Sequence, residues 1–210
     1  MIKFIVSELC GVINSAAEVK KAKDDKEFLS FDVKLTVQDR NGATAEMTLS
    51  VSADGGKGES LAYTKGKRVR IIGVIYVKKR EGVQYYNLRA EKVDFVSTSE
   101  PDKIEGTMEF MGKIDRRGID KHNDKKGNPY KAFSAFSSEK VADNRFESVW
   151  VRFLYFSPKE GEDFLQANAY VKCSGDLRMG VYRDAISLEC LLKDVSPWVL
   201  DKKNENENKQ

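Results

Sequence analysis

The stretch Trp150-Val-Arg-Phe-Leu-Tyr-Phe156 decides the fold class and indicates a binding surface. If it forms a strand, Trp150, Arg152 and Phe156 share one face with Leu154, because side chains alternate across a strand. The residues between them are apolar and fill the other face, which a core can cover. Indole, phenyl and guanidinium groups on the exposed face would stack with flat bases and hold phosphates. The alternative is that Trp150 belongs to the core.

Further strands surround this one, and the same order of elements occurs twice. Alternating apolar and polar residues predict strands, and Gly-, Asn- and Asp-rich turns separate them. In the first half the strands are predicted at 31–37, 45–51 and 69–76, with a short helix at 59–64 closed by Gly66. In the second half they are predicted at 104–114, 130–136, 148–156, 170–178 and 185–192. Ser157-Pro158 indicates a helix start there, with the helix reaching about Asn168.

Three strands, one short helix and a strand hairpin are typical of the five-stranded oligonucleotide-binding (OB) barrel. The predicted fold class is therefore all-β with short helices, as two tandem five-stranded Greek-key OB-fold barrels. Gly73 and Gly175 fall at equivalent places in the fourth strands, where a glycine suits a sharply bent strand. The predicted division is a first OB-fold domain at 1–97, a linker at 98–103, a second domain at 104–200 and a disordered tail at 201–210.

Composition favours a soluble cytoplasmic protein. The 210 residues are 40% hydrophobic and 33% charged, and the net charge is +3. No apolar run approaches the roughly 20 residues of a membrane helix, and the N-terminus lacks the pattern of a secretion signal. Three cysteines without metal-ligand spacing are typical of buried thiols in a reducing compartment. The balanced charge argues against gripping duplex DNA by bulk charge, although a cluster of cations without acids lies between Lys65 and Arg80.

At this point the sequence resembles the bacterial single-stranded DNA-binding proteins, over nearly the whole chain as two tandem copies. The second half carries the resemblance best, in Phe133-Ser134, Trp150-x-Arg152-x-x-x-Phe156 and Ser174-Gly175-Asp-Leu177-Arg178. In the first half, Lys65–Gly73 and Gln84–Phe95 resemble the fourth strand with its approach and the last strand. The resemblance implies sequence-independent binding of single-stranded DNA by a non-catalytic protein in replication, recombination or transfer. Family members commonly use four barrels, which implies a homodimer here.

The resemblance also implies a set of nucleic-acid-binding residues. In the second half these are Trp150, Arg152, Phe156, Phe133, Arg178 and Tyr182. In the first half they are Lys78, Lys79, Arg80, Tyr76 and Tyr85, in and beside the strand hairpin. Binding should weaken with salt. The sequence leaves open whether RNA is bound as well as DNA.

Several positions keep a second interpretation. Phe156 either stacks with bases or packs under the predicted helix, and Tyr182 is either a contact or an ordinary turn aromatic. Arg152 either meets phosphate or forms a surface pair with Glu147 or Glu160. The third strand of the first half presents Glu46, Thr48 and Ser50 on the face equivalent to Trp150, which makes a poor platform. That half either binds through its hairpin or serves to pair with another barrel.

Other functional classes find little support in the sequence. No zinc motif or phosphate-binding loop is present, and His122 stands alone in a charged loop, so no cofactor, metal or catalytic residue is predicted. A nuclease would need a carboxylate cluster that the sequence does not indicate. The rival hypothesis is a tandem OB-fold protein-interaction module of a phage or conjugative complex. The charge-balanced tail lacks an apolar tip, so recruitment of partner enzymes through it is not inferred.

Overall fold

The computed structural model describes residues 1–159 and 161–199, and almost all regular structure in them is β-strand. The first half contains β1 (Ile2–Ile13), β2 (Glu18–Lys21), β3 (Glu27–Gln38), β4 (Thr44–Asp54), α1 (Lys57–Ser60), β5 (Arg68–Arg80) and β6 (Val83–Phe95). The second half contains β7 (Lys103–Ile114), β8 (Asp120–Asn123), β9 (Pro129–Ala142), β10 (Arg145–Tyr155), β11 (Tyr170–Tyr182) and β12 (Ala185–Pro197). The strands extend beyond their predicted limits, and the predicted strand order is confirmed.

Each half closes into a five-stranded barrel. In the first, β3 pairs with β4, β4 runs parallel to β6, β6 pairs with β5, β5 pairs with β1, and β1 returns to β3. In the second, β9, β10, β12, β11 and β7 repeat this circuit, including the parallel pair β10–β12. This is the Greek-key order of an OB fold. The predicted fold class of two tandem OB barrels is confirmed.

One strand pair joins the barrels. β1 runs antiparallel to β7, with Ile2 opposite Phe110 and Phe4 opposite Met108, so all twelve strands belong to one continuous sheet. Each barrel interior is filled by one side of its alternating strands, and the two largest fully buried rings near this junction are Phe4 and Phe110. The connection from β6 to β7 is pinned by Asp102, which binds Arg68 and accepts a hydrogen bond from the Thr36 amide at 2.7 Å.

The two barrels correspond residue by residue at a constant interval in every strand except the end of the first, β1 against β7. Gly73 and Gly175 each lie beside a β-bulge, and a Cβ built on either would fall 2.2 Å from the Arg89 carbonyl oxygen or 2.0 Å from that of Leu191. Only glycine permits so close an approach of two backbones. The interval between these glycines also relates the paired residues of β2–β6 to those of β8–β12. It relates β1 to β7 only before the bulge that follows Val6.

The helices differ from expectation. The first is one turn at Lys57–Ser60, shorter than predicted, and turns continue it towards Gly66. The helix predicted to run from Ser157 to about Asn168 is wrong for the described residues, which form turns instead. Gly161 has a positive φ of 77°, which an α-helix does not accommodate. Glu162 turns inward to accept a 2.6 Å hydrogen bond from the Tyr155 hydroxyl. The tail predicted as disordered at 201–210 lies outside the described residues.

Candidate nucleic-acid interface

The outward face of β10 presents the side chains that the sequence singled out. Trp150 and Phe156 are each 47% exposed, and the Arg152 side chain is 62% exposed. Val151, Phe153 and Tyr155 point the other way and are buried. This alternation arises because β10 covers the barrel interior with one face only. It removes the alternative in which Trp150 belongs to the core.

Neighbouring strands add three rings to this face that the sequence had not assigned. Phe136 of β9 lies opposite Trp150, with ring centroids 4.8 Å apart. Tyr130 stacks on Phe156 at 4.8 Å and on His122 of β8 at 5.2 Å. We call these residues the aromatic face: His122, Tyr130, Phe136, Trp150, Arg152 and Phe156.

The stacking inside the aromatic face limits where a base can lie. Tyr130 stands between His122 and Phe156, with interplanar angles of 28° and 24°, so both of its ring faces are covered. Trp150 meets Phe136 at 45°, a tilted contact that does not cover the indole as a parallel stack would. A planar ligand would therefore find its most accessible ring at Trp150, beside the Arg152 cation, with Phe156 at the far end.

Phe133 does not belong to this surface. Its side chain is 3% exposed and stacks on Phe153 inside the second barrel at 5.0 Å. Residues of β9 that face outward share parity with Phe136, and Phe133 has the opposite parity. The prediction of Phe133 as a contact residue is corrected, because a ring inside the barrel does not meet a ligand.

The local support for the end of β10 comes from the segment that replaces the predicted helix. The Tyr155 hydroxyl donates to Glu162, whose carboxylate also lies 3.3 Å from the Lys131 ammonium. Burial, and then the hydrogen bond to Glu162, raise the pKa of Tyr155 to about 12. A neutral phenol therefore ties Glu162 to the end of β10, next to the exposed Phe156.

The remaining second-barrel residues lie along β11 and β12. Arg152 is 4.0 Å from Glu189, and Glu189 lies opposite Arg178 in the β11–β12 pair. Glu147, one surface partner considered for Arg152, instead binds Arg145 at 3.1 Å and the Glu81 and Gly82 amides, and Glu160, the other, lies outside the described residues. Tyr182 ends β11 and is 64% exposed, with the Arg183 guanidinium 5.2 Å from its ring centre. Arg152, Arg178 and Tyr182 thus continue the aromatic face towards the tip of the β11–β12 hairpin.

The first-barrel residues sit in a different setting. Lys78, Lys79 and Arg80 end β5, and Tyr85 lies opposite Lys78 on β6. Tyr76 and Tyr85 are 40% and 48% exposed. The hairpin does not stand free, because the Glu147 carboxylate of the second barrel accepts hydrogen bonds from the Glu81 amide at 2.6 Å and the Gly82 amide at 3.2 Å. Lys78 lies 3.5 Å from Glu139 of β9.

The charge of Glu147 is stabilised by these contacts. Burial alone would raise its pKa, but the amides of Gly82 and Glu81 and the nearby Arg145 outweigh burial and lower it below the ordinary value of 4.5. A carboxylate held charged beside a turn anchors the basic hairpin to β10. Of the hairpin cations, Lys78 also contacts the second barrel, through Glu139.

The corresponding face of the first barrel carries hydroxyl groups. By the constant interval, Thr48 takes the place of Trp150, Ser50 that of Arg152 and Lys34 that of Phe136. Glu46 corresponds to Ser148 and lies on the same outward face. Glu46 pairs with Lys34, and Ser50 donates to Asp32 at 3.1 Å. We call Lys34, Thr48, Ser50 and Ser52 the hydroxyl face.

Residues 1–159 and 161–199 contain no group of three or more potential metal-ligating side chains. The three cysteines are buried, and burial raises the pKa of Cys190 to about 12, which keeps its thiol protonated. The same residues include no helix with the length and apolar character of a membrane span.

Comparison with known proteins supports the fold. The wild-type single-stranded DNA binding protein from Thermus aquaticus matches with a TM-score of 0.50 and 15% identity, over 95% of this chain and 94% of that one. A deletion mutant of the Thermus aquaticus protein matches with a TM-score of 0.45 and 15% identity, over 98% of both chains. A Plasmodium falciparum SSB complex with ssDNA matches with a TM-score of 0.30 and 16% identity, over 46% of this chain and 96% of that chain. No protein-family model and no curated protein sequence matches the chain.

Proposed function

We propose that this protein binds single-stranded DNA without base-sequence specificity and without catalysis, using the aromatic face of its second barrel. The observation that carries the proposal is the exposed Trp150, set between Phe136 and Arg152 on the open side of an OB barrel. Every base has a π-face, so stacking on such a ring tolerates any sequence. The Thermus aquaticus protein of similar fold, which is named for binding single-stranded DNA, supports this choice of ligand.

The proposed contacts follow the exposed rings and cations. Trp150 and Phe156 stack with bases, Arg152 and Arg178 meet phosphates, and Tyr182 extends the path. Stacking contributes on the order of 1–3 kcal/mol per base, and phosphate contacts add an ionic term that weakens with salt. In the first barrel, Lys79, Arg80, Tyr76 and Tyr85 make secondary contacts, and Lys78 is shared with Glu139.

Finer parts of the proposal concern assembly and cellular role. Two chains form a homodimer with four OB barrels, act in the cytoplasm and coat DNA during replication, recombination or transfer. RNA of the same length competes with DNA for the site, because the aromatic rings stack on the bases and do not contact the 2′-hydroxyl group. Sedimentation at several protein concentrations tests whether the chain forms a dimer. Competition between RNA and DNA oligonucleotides of the same length and sequence tests whether the site distinguishes ribose from deoxyribose.

The test is a titration with oligo(dT) at two salt concentrations, followed by tryptophan fluorescence. We expect quenching of Trp150, with affinity that falls as salt rises. Trp150→Ala should lower affinity about tenfold or more on the stacking scale above. Trp198, packed edge-on against Tyr170 at 5.9 Å, is the matched control, and Trp198→Phe should retain both quenching and affinity. Equal affinity of wild type and Trp150→Ala would contradict the proposed platform.

A second candidate function is a protein-interaction module of a phage or conjugative complex. The hydroxyl face favours it, since Lys34 is paired with Glu46 and Asp32 adds a further acid, which suits polar protein contacts better than phosphate. Under this alternative, oligo(dT) leaves tryptophan fluorescence unchanged at every salt concentration.

A further inference from the structure

Several clefts have walls from both barrels, and the constant interval relates two of them to each other. The larger has a volume of about 970 Å³ and is bounded by the β3–β4 turn, the start of β7 and the β11–β12 hairpin. The smaller, about 370 Å³, is bounded by the corresponding parts: β9 next to its turn with β10, the start of β1 and the β5–β6 hairpin. We call them the open cleft and the latched cleft. Their difference in size calls for a physical cause.

The latched cleft is drawn together by carboxylates. Glu147 holds the amides of Glu81 and Gly82, and Glu139 lies 3.5 Å from Lys78. In the open cleft, the position equivalent to Glu147 is Ala45, and the position equivalent to Glu139 is Val37. Neither side chain accepts a hydrogen bond, so the β11–β12 hairpin is not fastened to the first barrel in this way.

The open cleft carries two arginines that form no ion pair in the described part of the chain, beside the acids Asp39, Asp102 and Glu189, the last of which is 4.0 Å from Arg152. Asp39 is engaged by the amides of its own turn, at 2.8 Å from Asn41 and 2.9 Å from Ala43. Asp102 is engaged by Arg68 and the Thr36 amide. Among the ion pairs of residues 1–159 and 161–199, none involves Arg40 or Arg178. Both arginines line the open cleft, one from each barrel.

The open cleft is continuous with the aromatic face. Arg152 belongs to both, since it follows Trp150 by two residues on β10 and also lines the cleft. Arg152, Glu189 and Arg178 are aligned across β10, β12 and β11 by strand register. A strand of DNA lying on Trp150 therefore has a path over Arg152 and Arg178 that leads between the barrels.

We propose that the open cleft carries the single-stranded DNA from the aromatic face to the β3–β4 turn of the first barrel. Arg178 and Arg40 contact phosphates on opposite walls, and Tyr182 stacks with a base at the rim. The first barrel thus takes part through its turn rather than through its hydroxyl face. This inference rests on the proposed function and extends its site to Arg40.

The experiment compares Arg40→Ala with two lengths of oligo(dT). A probe of about 5 nucleotides lies near the lower end of the roughly 4–16 nucleotides per OB fold, and one of about 35 exceeds two barrels. We expect Arg40→Ala to weaken binding of the long probe about three- to tenfold and to reduce the salt slope of log K by about 0.7, the value for one phosphate of a single strand. Binding of the short probe should be unchanged, and Arg40→Glu should weaken the long probe further.

The matched control is Lys23→Ala, which removes an exposed cation from the β2–β3 turn, away from the cleft. Lys23→Ala should leave the affinity for both probes unchanged. If Arg40→Ala and Arg40→Glu both bind the long probe as wild type does, while Trp150→Ala binds it weakly, the cleft proposal fails and the proposed function stands. If wild type binds neither probe, both fail.

Discussion

The two barrels share one fold and differ in what they expose. At matched positions, the second barrel has Trp150 and Arg152 where the first has Thr48 and Ser50. The inward positions remain apolar in both, as Phe31 and Phe133 illustrate. Burial constrains the interior because a packed core tolerates few changes of volume. The outward face has no such constraint, so one copy can lose a binding platform without losing its barrel.

The sharpest way to break this comparison is to give the second barrel the first barrel's residues. Trp150→Thr combined with Arg152→Ser removes one stacking ring and one cation from exposed positions, so the fold should persist. We expect affinity for oligo(dT) to fall about 100-fold, since stacking alone contributes about 1–3 kcal/mol and 1.4 kcal/mol is a factor of ten. Fluorescence anisotropy of a labelled oligonucleotide measures it.

The reciprocal control changes the hydroxyl face. Thr48→Val combined with Ser50→Ala alters the same two positions of the first barrel and should leave affinity within experimental error. A loss there as large as in the second barrel would show that both faces bind alike, against the comparison drawn above.

A second prediction uses the pH dependence of stability to test the role of Glu147 in the latched cleft. Because the folded pKa of Glu147 is below 4.5, its charged form stabilises the fold fully above that pH. The contribution is lost as the pH falls through the folded pKa. Glu147→Gln should therefore be less stable than wild type near neutral pH, and the difference in free energy of unfolding should shrink below pH 4.5. Urea unfolding at a series of pH values measures this.

Glu91→Gln is the matched control for that series, since Glu91 is exposed on β6. Its difference from wild type should show no comparable convergence at low pH. A Glu147→Gln difference that stays constant from neutral to acid pH would remove the electrostatic explanation of the latched cleft.

The smallest expected effect comes from placing a ring on the hydroxyl face. Thr48→Trp should raise affinity about threefold, near the low end of the stacking scale. Glu46 and Asp32 repel phosphate there, and no second ring lies opposite, since Lys34 occupies the place of Phe136. Thr48→Leu, which is apolar but cannot stack in the same way, should give no gain. An equal gain from leucine would attribute the effect to apolar burial.

The fold was predictable because alternation and turn residues are local signals. Residues 31–37 and 45–51 alternate clearly between apolar and polar, and the recurrence of Gly73 as Gly175 marks the repeat. The register of the third strands was also within reach, since the interval between those glycines aligns Thr48 with Trp150. The failed helix after Ser157 shows the limit of local signals: Gly161 and the inward hydrogen bond of Glu162 override a helix start.

The aromatic face was only half predictable. Counting back symmetrically from the turn at Asp143-Asn144 would set Trp150 opposite Ser137. A β-bulge between Arg145 and Phe146 shifts the pairing by one residue and brings Phe136 there instead. A shift of one residue reverses which side chains face outward on the partner strand. The resemblance selected Phe133, which this register places inside the barrel, whereas Phe136 and Tyr130 lie on the aromatic face.

The β1–β7 pair determines how the two barrels respond to dilution. Two separate chains joined only by such a strand pair would dissociate as the protein concentration falls. Here the chain itself supplies the partner, at an effective concentration fixed by the short connection. Dilution to trace amounts should therefore leave the pair assembled.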